Sequence, residues 1–377
     1  MKVLFAHKSM NMGGIERALL NLTNILVEKH DIDVLLLNDS FGQEKFNSKI
    51  KFINTNKIYR ILNPQHNYSK EKQTIKGSFK RFVTNSGIRA LMEKVFAKKK
   101  FVKTTYDIAV AFHGEDFLTC YQVANMVNAE KKYVFIHFDV RKTKIKKRVF
   151  KTYKKFDKII CVSNSCAEQF RQAYPELADK VDYLYNISDV EEIKRKSNEF
   201  EIAFQKENIN IISVSRLSTE KAHVRSLKIL KQLKEDGFKF CWHIVGDGDE
   251  RQKIEKFINE NNMMDYVKMY GNQTNPYPYI KAADLFYLGS IHEAAPMVYK
   301  EAEVLGVPVL TTNTTSAIEL VGEKGFVCDN DEESIKLAFE QILKDEKLLK
   351  SRILEVKENL KTYKFDKEQI VEKFNRL

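Results

Sequence analysis

At 377 residues, with 43% hydrophobic and 30% charged residues, the chain exceeds one ordinary core and has the composition of about two folded domains. No run reaches the roughly 18 apolar residues that span a bilayer, the start at 2–6 is too short for a signal segment, and five scattered cysteines (Cys120, Cys161, Cys166, Cys241, Cys328) offer neither a disulfide framework nor metal-like pairs. The net charge of +12 is uneven: residues 1–189 hold 34 Lys and Arg against 19 Asp and Glu, and residues 190–377 hold 29 against 32, so the first half is expected to meet something anionic.

In chain order, 2–6 reads as a strand, 7–14 as a loop closing on Gly13-Gly14, and Ile15, Leu19, Leu22 and Leu26 as a helical stripe before a strand at 34–37. Strands are expected at 107–112, 133–138, 158–162 and 181–185, with basic, partly helical sequence over 57–104. A charged stretch at 187–208 marks the domain boundary, giving domains 1–187 and 188–377, with the last helix a candidate to return to the first domain. The strand rhythm restarts at 209–215 and continues with a helix at 222–236 carrying Leu227, Leu230 and Leu233. A strand at 238–245, a helix to about Asn262 and a strand at 266–270 follow. After the strand 285–288 comes a short helix bracketed by Pro296 at its first position and Gly306 past its end. The strand 307–311, a Thr-rich turn, a helix at 316–321, a strand at 326–328 and a helix at 332–345 complete the alternation. Such βαβ order demands parallel sheets covered on both faces.

Ligands in open α/β sheets bind at the carboxyl ends of the strands, so the residues there are the candidates. Glu293 lies in the loop before the short helix and Glu301 one turn inside it, with the amides of Met297, Val298 and Tyr299 at its start facing an anion. A carboxylate at Glu301 suits hydroxyls better than phosphate oxygens. Gly13-Gly14 opens the first helix, where the backbone can approach a phosphate closely, or is an ordinary glycine turn. Arg216 and Lys221 flank the turn after 209–215, a planar fork and a point charge suited to a diphosphate, facing the Gly-Gly turn across a cleft; either alone is a solvated surface cation. His137 ends the strand 133–138, a structural histidine or one placed to touch a substrate hydroxyl or stabilise a reacting centre.

The order Gly13-Gly14-Ile15-Glu16, Arg216-Leu217, Glu220-Lys221, Val245-Gly246-Asp247-Gly248, Ala282-Ala283-Asp284, then Glu293 with Glu301-Ala302 and Leu305-Gly306-Val307-Pro308-Val309 resembles the family-4 retaining glycosyltransferases of the GT-B fold. The resemblance runs from about residue 2 to residue 345, and the glutamate block is its most specific part. It implies an α/β protein with two Rossmann-like domains facing each other across a cleft. It also implies donor-binding roles for Gly13, Gly14, Arg216, Lys221, Gly246, Pro296, Met297, Val298 and Glu301. Arg216 and Lys221 would hold the donor diphosphate, Gly14 a phosphate, Glu301 the ribose, and Glu293 and His137 the sugar and reacting centre. The family retains anomeric configuration and generally works without a metal, so no cofactor is expected beyond the nucleotide-sugar substrate. Where the family usually has Gly and Phe after the first glutamate, this chain has Ala294-Ala295, and Lys300 beside Glu301 is also unusual.

The segment 141–158 holds ten Lys and Arg, with Ile145, Val149, Tyr153 and Phe156 spaced for one face of a basic amphipathic helix. That helix either packs its stripe on the first domain and wets its lysines or attaches to an anionic membrane. Nucleic acid is not expected, since no DNA- or RNA-binding motif accompanies the charge. The resulting expectation is a cytoplasmic enzyme, peripheral at the inner face of the membrane. It would move a sugar from a nucleotide donor, UDP-linked by preference, to a glycan or lipid-linked acceptor in surface-polysaccharide assembly. The rival readings are a nucleotide-sugar epimerase or hydrolase of the same fold and a catalytically silent partner subunit.

Overall fold

A computed structural model describes residues 1–10, 13–37, 45–54, 104–362 and 366–377; the basic stretch expected at 57–104 lies, but for its last residue, outside them. The chain divides into two compact units, Met1–Asn186 with Lys367–Leu377, and Ile187–Asp366.

The first unit is built on a parallel sheet of β1 (Lys2–His7), β2 (Asp31–Leu36), β3 (Lys51–Asn54), β4 (Thr105–Ala111), β5 (Asn128–Ile136), β6 (Lys158–Cys161) and β7 (Val181–Tyr183), in the order β3-β2-β1-β4-β5-β6-β7. Val3, Leu4, Phe5 and Ala6 are wholly buried, which is why β1 is a continuous apolar run and not an alternating one. Around the sheet lie α1 (Gly14–Leu26), α2 (Phe117–Met126), α3 (Lys147–Tyr153) and α4 (Asn164–Ala173). Side chains cap two of them: the Thr119 amide donates to Asp116 at 2.9 Å, and the Cys166 amide to Ser163 Oγ at 3.0 Å. In α1, Leu19, Leu22 and Leu26 of the expected stripe are buried.

The second unit holds α5 (Val190–Lys196), β8 (Ile209–Val214), α6 (His223–Glu235), β9 (Phe240–Val245), α7 (Arg251–Glu260), β10 (Val267–Gly271), α8 (Tyr277–Lys281), β11 (Leu285–Leu288), α9 (Met297–Val304), β12 (Val309–Thr312), α10 (Ala317–Leu320), β13 (Phe326–Cys328), α11 (Glu332–Lys344) and α12 (Glu346–Thr362). Its parallel sheet runs β10-β9-β8-β11-β12-β13. Leu227, Leu230, Trp242, Tyr287 and Phe339 pack in one apolar cluster, and Ile193, Ile212, Phe286 and Ala302 in another, so helices cover both faces. The last helix, α13 (Lys367–Arg376), belongs to the first unit, where Phe374 is buried 6.0 Å from Phe5 and Lys367 lies 3.3 Å from Glu28.

The basic helix expected over 141–158 is confined to α3. Asp139 takes the Arg141 amide at 2.9 Å on its carboxylate and the Thr143 amide at 2.9 Å on its carbonyl, so the preceding residues close turns instead. Lys147 and Arg148 then fill the first helical turn, where cations oppose the dipole, with no side-chain cap at Lys146. Val149, Tyr153 and Phe156 are buried all the same, whereas Lys142, Lys144, Lys146, Lys147, Lys151, Lys154 and Lys155 are exposed.

Candidate functional site

In the second unit the chain runs from β8 outward to β9 and β10 on one side, and from β11 outward to β12 and β13 on the other. The strand order therefore reverses between β8 and β11, the place where the loops leaving neighbouring strands splay apart and leave room for a ligand. Lys221 sits in the loop after β8, in a single 3₁₀ turn of Thr219–Lys221, and Glu293 sits in the loop after β11. Their side chains form an ion pair, each with about one-sixth of its surface exposed (16% and 14%). Ser290 Oγ donates to the same Glu293 oxygen at 2.6 Å, and the Ile291 amide donates to the Glu220 carbonyl at 2.8 Å, tying one loop to the other. Arg216 is 76% exposed and lies 3.3 Å from Glu220.

Ala222, directly after Lys221, is held left-handed at φ 54° and opens α6. That conformation costs a non-glycine residue roughly 1–2 kcal/mol, strain placed where a cation must be aimed. Gly246 follows β9 with φ 142° and lies against the Ser215 carbonyl, while the Leu217 amide donates to the Asp247 carbonyl and the Glu250 amide to the Leu217 carbonyl, both at 2.9 Å. The β8 and β9 loops are thereby interlaced, and Gly246 serves as the point of close backbone approach.

Pro296 has ψ 126°, so it is the cap of α9 and not its first residue; extended geometry at Pro296 moves the helix start to Met297. The Tyr299 amide donates to the Pro296 carbonyl at 3.4 Å, so of the three amides expected to face an anion this one is engaged, and Met297 and Val298 remain as the first two helical residues. Gly306, at φ 76°, ends the helix as its position predicts. Glu301 is buried at 3% exposure on α9, and α9 itself is pinned by the Tyr299 hydroxyl 2.7 Å from Thr311 Oγ1, which donates to the Leu288 carbonyl at 2.8 Å. Burial first, then the nearby Glu293 charge, hold the Tyr299 phenol protonated far above its ordinary range.

The first unit has its own order reversal, between β1 and β4, and three histidines stand at the strand ends there. His7 ends β1, His113 follows β4 and His137 follows β5; the His7 and His113 rings stack at 5.3 Å, and the His137 ring lies 4.7 Å from Phe112. His7 Nε2 is 3.5 Å from the Glu16 carboxylate on α1. His7 Nδ1, His113 Nδ1 and His137 Nε2 are buried without a hydrogen-bond partner among the described residues. Burial, then the neighbouring histidines, push His137 down to about 3, and burial with His7 pushes His113 down to about 4. His137 is therefore neutral at pH 7 and can exchange hydrogen bonds with a hydroxyl but carries no charge to a reacting centre. Gly13 caps α1 in extended geometry and Gly14 begins it; both are exposed, and a side chain on Gly14 would meet nothing within 4 Å. At Gly14 the protein's own packing therefore does not require glycine. Among the described residues no group of His, Cys, Asp or Glu side chains is arranged to hold a metal ion.

Of the residues singled out in the sequence, the second unit thus carries Arg216, Lys221, Gly246, Glu293 and Pro296 on the carboxyl-edge loops of β8, β9 and β11, and Met297, Val298 and Glu301 in α9, the helix that follows the β11 loop. Gly13, Gly14 and His137 stand at the carboxyl edge of the first sheet. Ser290, His7 and His113 were not singled out. The two histidines carry the same signal as His137, a histidine at a strand end, and Ser290 stands three residues before Glu293 in the same loop.

Residues 194–359 match the family model of glycosyl transferases group 1. The second unit therefore carries a group 1 glycosyltransferase domain, and the protein is a glycosyltransferase. This glycosyltransferase is similar over 96% of its length to a Campylobacter jejuni protein, 28% identical and covered to 95%, named N-acetylgalactosamine-N,N'-diacetylbacillosaminyl-diphospho-undecaprenol 4-alpha-N-acetylgalactosaminyltransferase. Among solved structures it resembles Anabaena HepE in complex with UDP, at TM-score 0.69 and 16% identity over 100% of this chain and 99% of that one. Staphylococcus aureus TarM gives TM-score 0.72 at 13% identity with the same coverage. These likenesses assign the GT-B fold, as the glutamate block and glycine turns had implied. No helix among the described residues is long and apolar enough to cross a membrane.

Proposed function

We propose that this glycosyltransferase moves a sugar, with retention, from a UDP-sugar to a glycan carried on a polyprenyl diphosphate during surface-polysaccharide assembly. The observation that carries the reading is the meeting of Lys221, Glu293 and Ser290 at the order reversal of the second sheet, directly before the start of α9. Lys221, Arg216 and the α9 amides stabilise the departing diphosphate in place of a metal, Glu301 binds the ribose, and Glu293 binds hydroxyls of the transferred sugar. The acceptor oxygen bonds to the anomeric carbon on the face the diphosphate leaves. Its proton passes to the leaving phosphate oxygen, so no covalent intermediate is needed. The Campylobacter relative, whose name specifies a diphospho-undecaprenol acceptor, supports the lipid-linked choice, and the UDP bound by HepE supports the base. An epimerase or hydrolase would consume donor without acceptor, and a catalytically silent subunit would transfer no sugar.

The test is a screen of nucleotide sugars followed by NMR of the product. Retained anomeric configuration and activity unchanged by EDTA are expected; inversion, or EDTA inhibition reversed by magnesium, overturns the mechanism. Glu301→Ala should weaken UDP binding by about 1.5–3 kcal/mol, the worth of a hydrogen bond to a charged acceptor. Equal affinity of the parent protein for UDP and its 2′,3′-dideoxy analogue would remove Glu301 from the ribose.

The exposed cations of α3 and its preceding loop are assigned to an anionic membrane surface, with the buried stripe anchoring the helix in the fold. Changing Lys146, Lys147, Lys151 and Lys154 to Gln should remove about 4 kcal/mol of attraction at about 1 kcal/mol per cation, and high salt should mimic it. The measurement is sedimentation with vesicles containing or lacking anionic lipid; absence of binding by the parent protein ends the assignment.

A further inference from the structure

Lys221, assigned to the donor diphosphate, already has a partner of opposite charge in Glu293, and both are largely shielded from water. Shielding makes such a pair stronger than a surface salt bridge and makes either member costly to leave alone. The contact is also held from both sides. Ser290 fixes the carboxylate at 2.6 Å, the Ile291 amide ties its loop to Glu220 at 2.8 Å, and left-handed Ala222 sets the exit of the lysine turn.

We propose that the Lys221–Glu293 pair is a gate that distinguishes an intact donor from spent nucleotide. The idea rests on the nucleotide-sugar reading above. A diphosphate drawing Lys221 away leaves Glu293 half-shielded, beside a new anion and held only by Ser290. An intact donor brings sugar hydroxyls that donate to Glu293 as the lysine departs, so both halves of the broken pair find partners. A nucleoside diphosphate brings phosphate alone and satisfies one. Glu293 then opposes the bound product, and the pair re-forms as the product leaves.

The experiment is calorimetry of UDP binding to the full chain, to Glu293→Gln, to Lys221→Ala and to the double variant, with thermal melts confirming that each is folded. Glu293→Gln is expected to bind UDP about tenfold more tightly, since it frees Lys221 without leaving a carboxylate unpaired. In the Lys221→Ala background the same substitution should leave UDP affinity unchanged, because no lysine remains to be released. An equal gain with and without Lys221 would mean plain repulsion of phosphate and would overturn the gate. So would unchanged or weaker UDP binding by Glu293→Gln, with Glu293→Ala as a second variant carrying the same expectation. A parent protein that binds no UDP overturns the UDP-sugar reading and the gate together. Weakened UDP binding by Lys221→Ala leaves that reading standing whatever Glu293→Gln does.

Discussion

Lowering the pH from 7 to 5 is expected to destabilise the first unit by several kcal/mol, because two histidines are buried there in their neutral form. His113 and His137 have folded-state values of about 4 and about 3 against an ordinary value of 6.5. Below pH 6.5 the unfolded chain therefore binds more protons than the folded one. The stabilisation is complete above that value and declines as the pH falls toward 4. Each group contributes about 2 kcal/mol of loss over the window from 6.5 to 5, at 1.36 kcal/mol per pH unit. The two interact, so the pair loses somewhat less than the sum at first. Melting followed by hydrogen exchange at the β4 and β5 amides measures the effect. His137→Phe, with its ring set beside Phe112 and Phe135, should flatten the slope; an unchanged slope would remove His137 from the account.

Gly246→Ala is expected to cost several kcal/mol and to abolish UDP binding. Its φ of 142° lies where a side chain is strained, at roughly 1–3 kcal/mol, and the new methyl would fall on the Ser215 carbonyl oxygen, part of a backbone that cannot swing aside. Overpacking against such an atom adds about 1–3 kcal/mol. A unit of this size should then melt on the order of 10 °C lower. The displaced Ser215 leads directly into Arg216 and the Lys221 turn, so ligand affinity falls with stability. A melting temperature within about 2 °C of the parent would show that the two loops separate freely.

The second unit was readable because its strands are buried on both faces: Phe240 to Val245 is wholly buried and, but for His243, apolar, so it reads as strand without any structure. The first unit was less so, and the reasons are local. Seven of the ten residues of α2 are buried, so it shows no stripe. In β5 the residues Glu130, Lys131 and Lys132 hide a strand that begins at Asn128, held there by pairing with Thr105 and Tyr106 of β4. The site residues were legible one by one from their places after strands. The Lys221–Glu293 contact was not, because it depends on β8 lying beside β11, a fact of strand order that no local pattern carries.

The inclusion of Lys367–Leu377 in the first unit means that translation builds the chain in an awkward order. Phe374, which covers Phe5, is made long after it; at about 5–20 residues per second the wait between them is roughly 20–70 s. The second unit, continuous from Ile187 to Asp366, can settle during that time. The seam that α13 closes beside β1 and α1 stays open to nascent-chain chaperones until that helix is made, so removing 367–377 should trap a half-finished product rather than a trimmed enzyme.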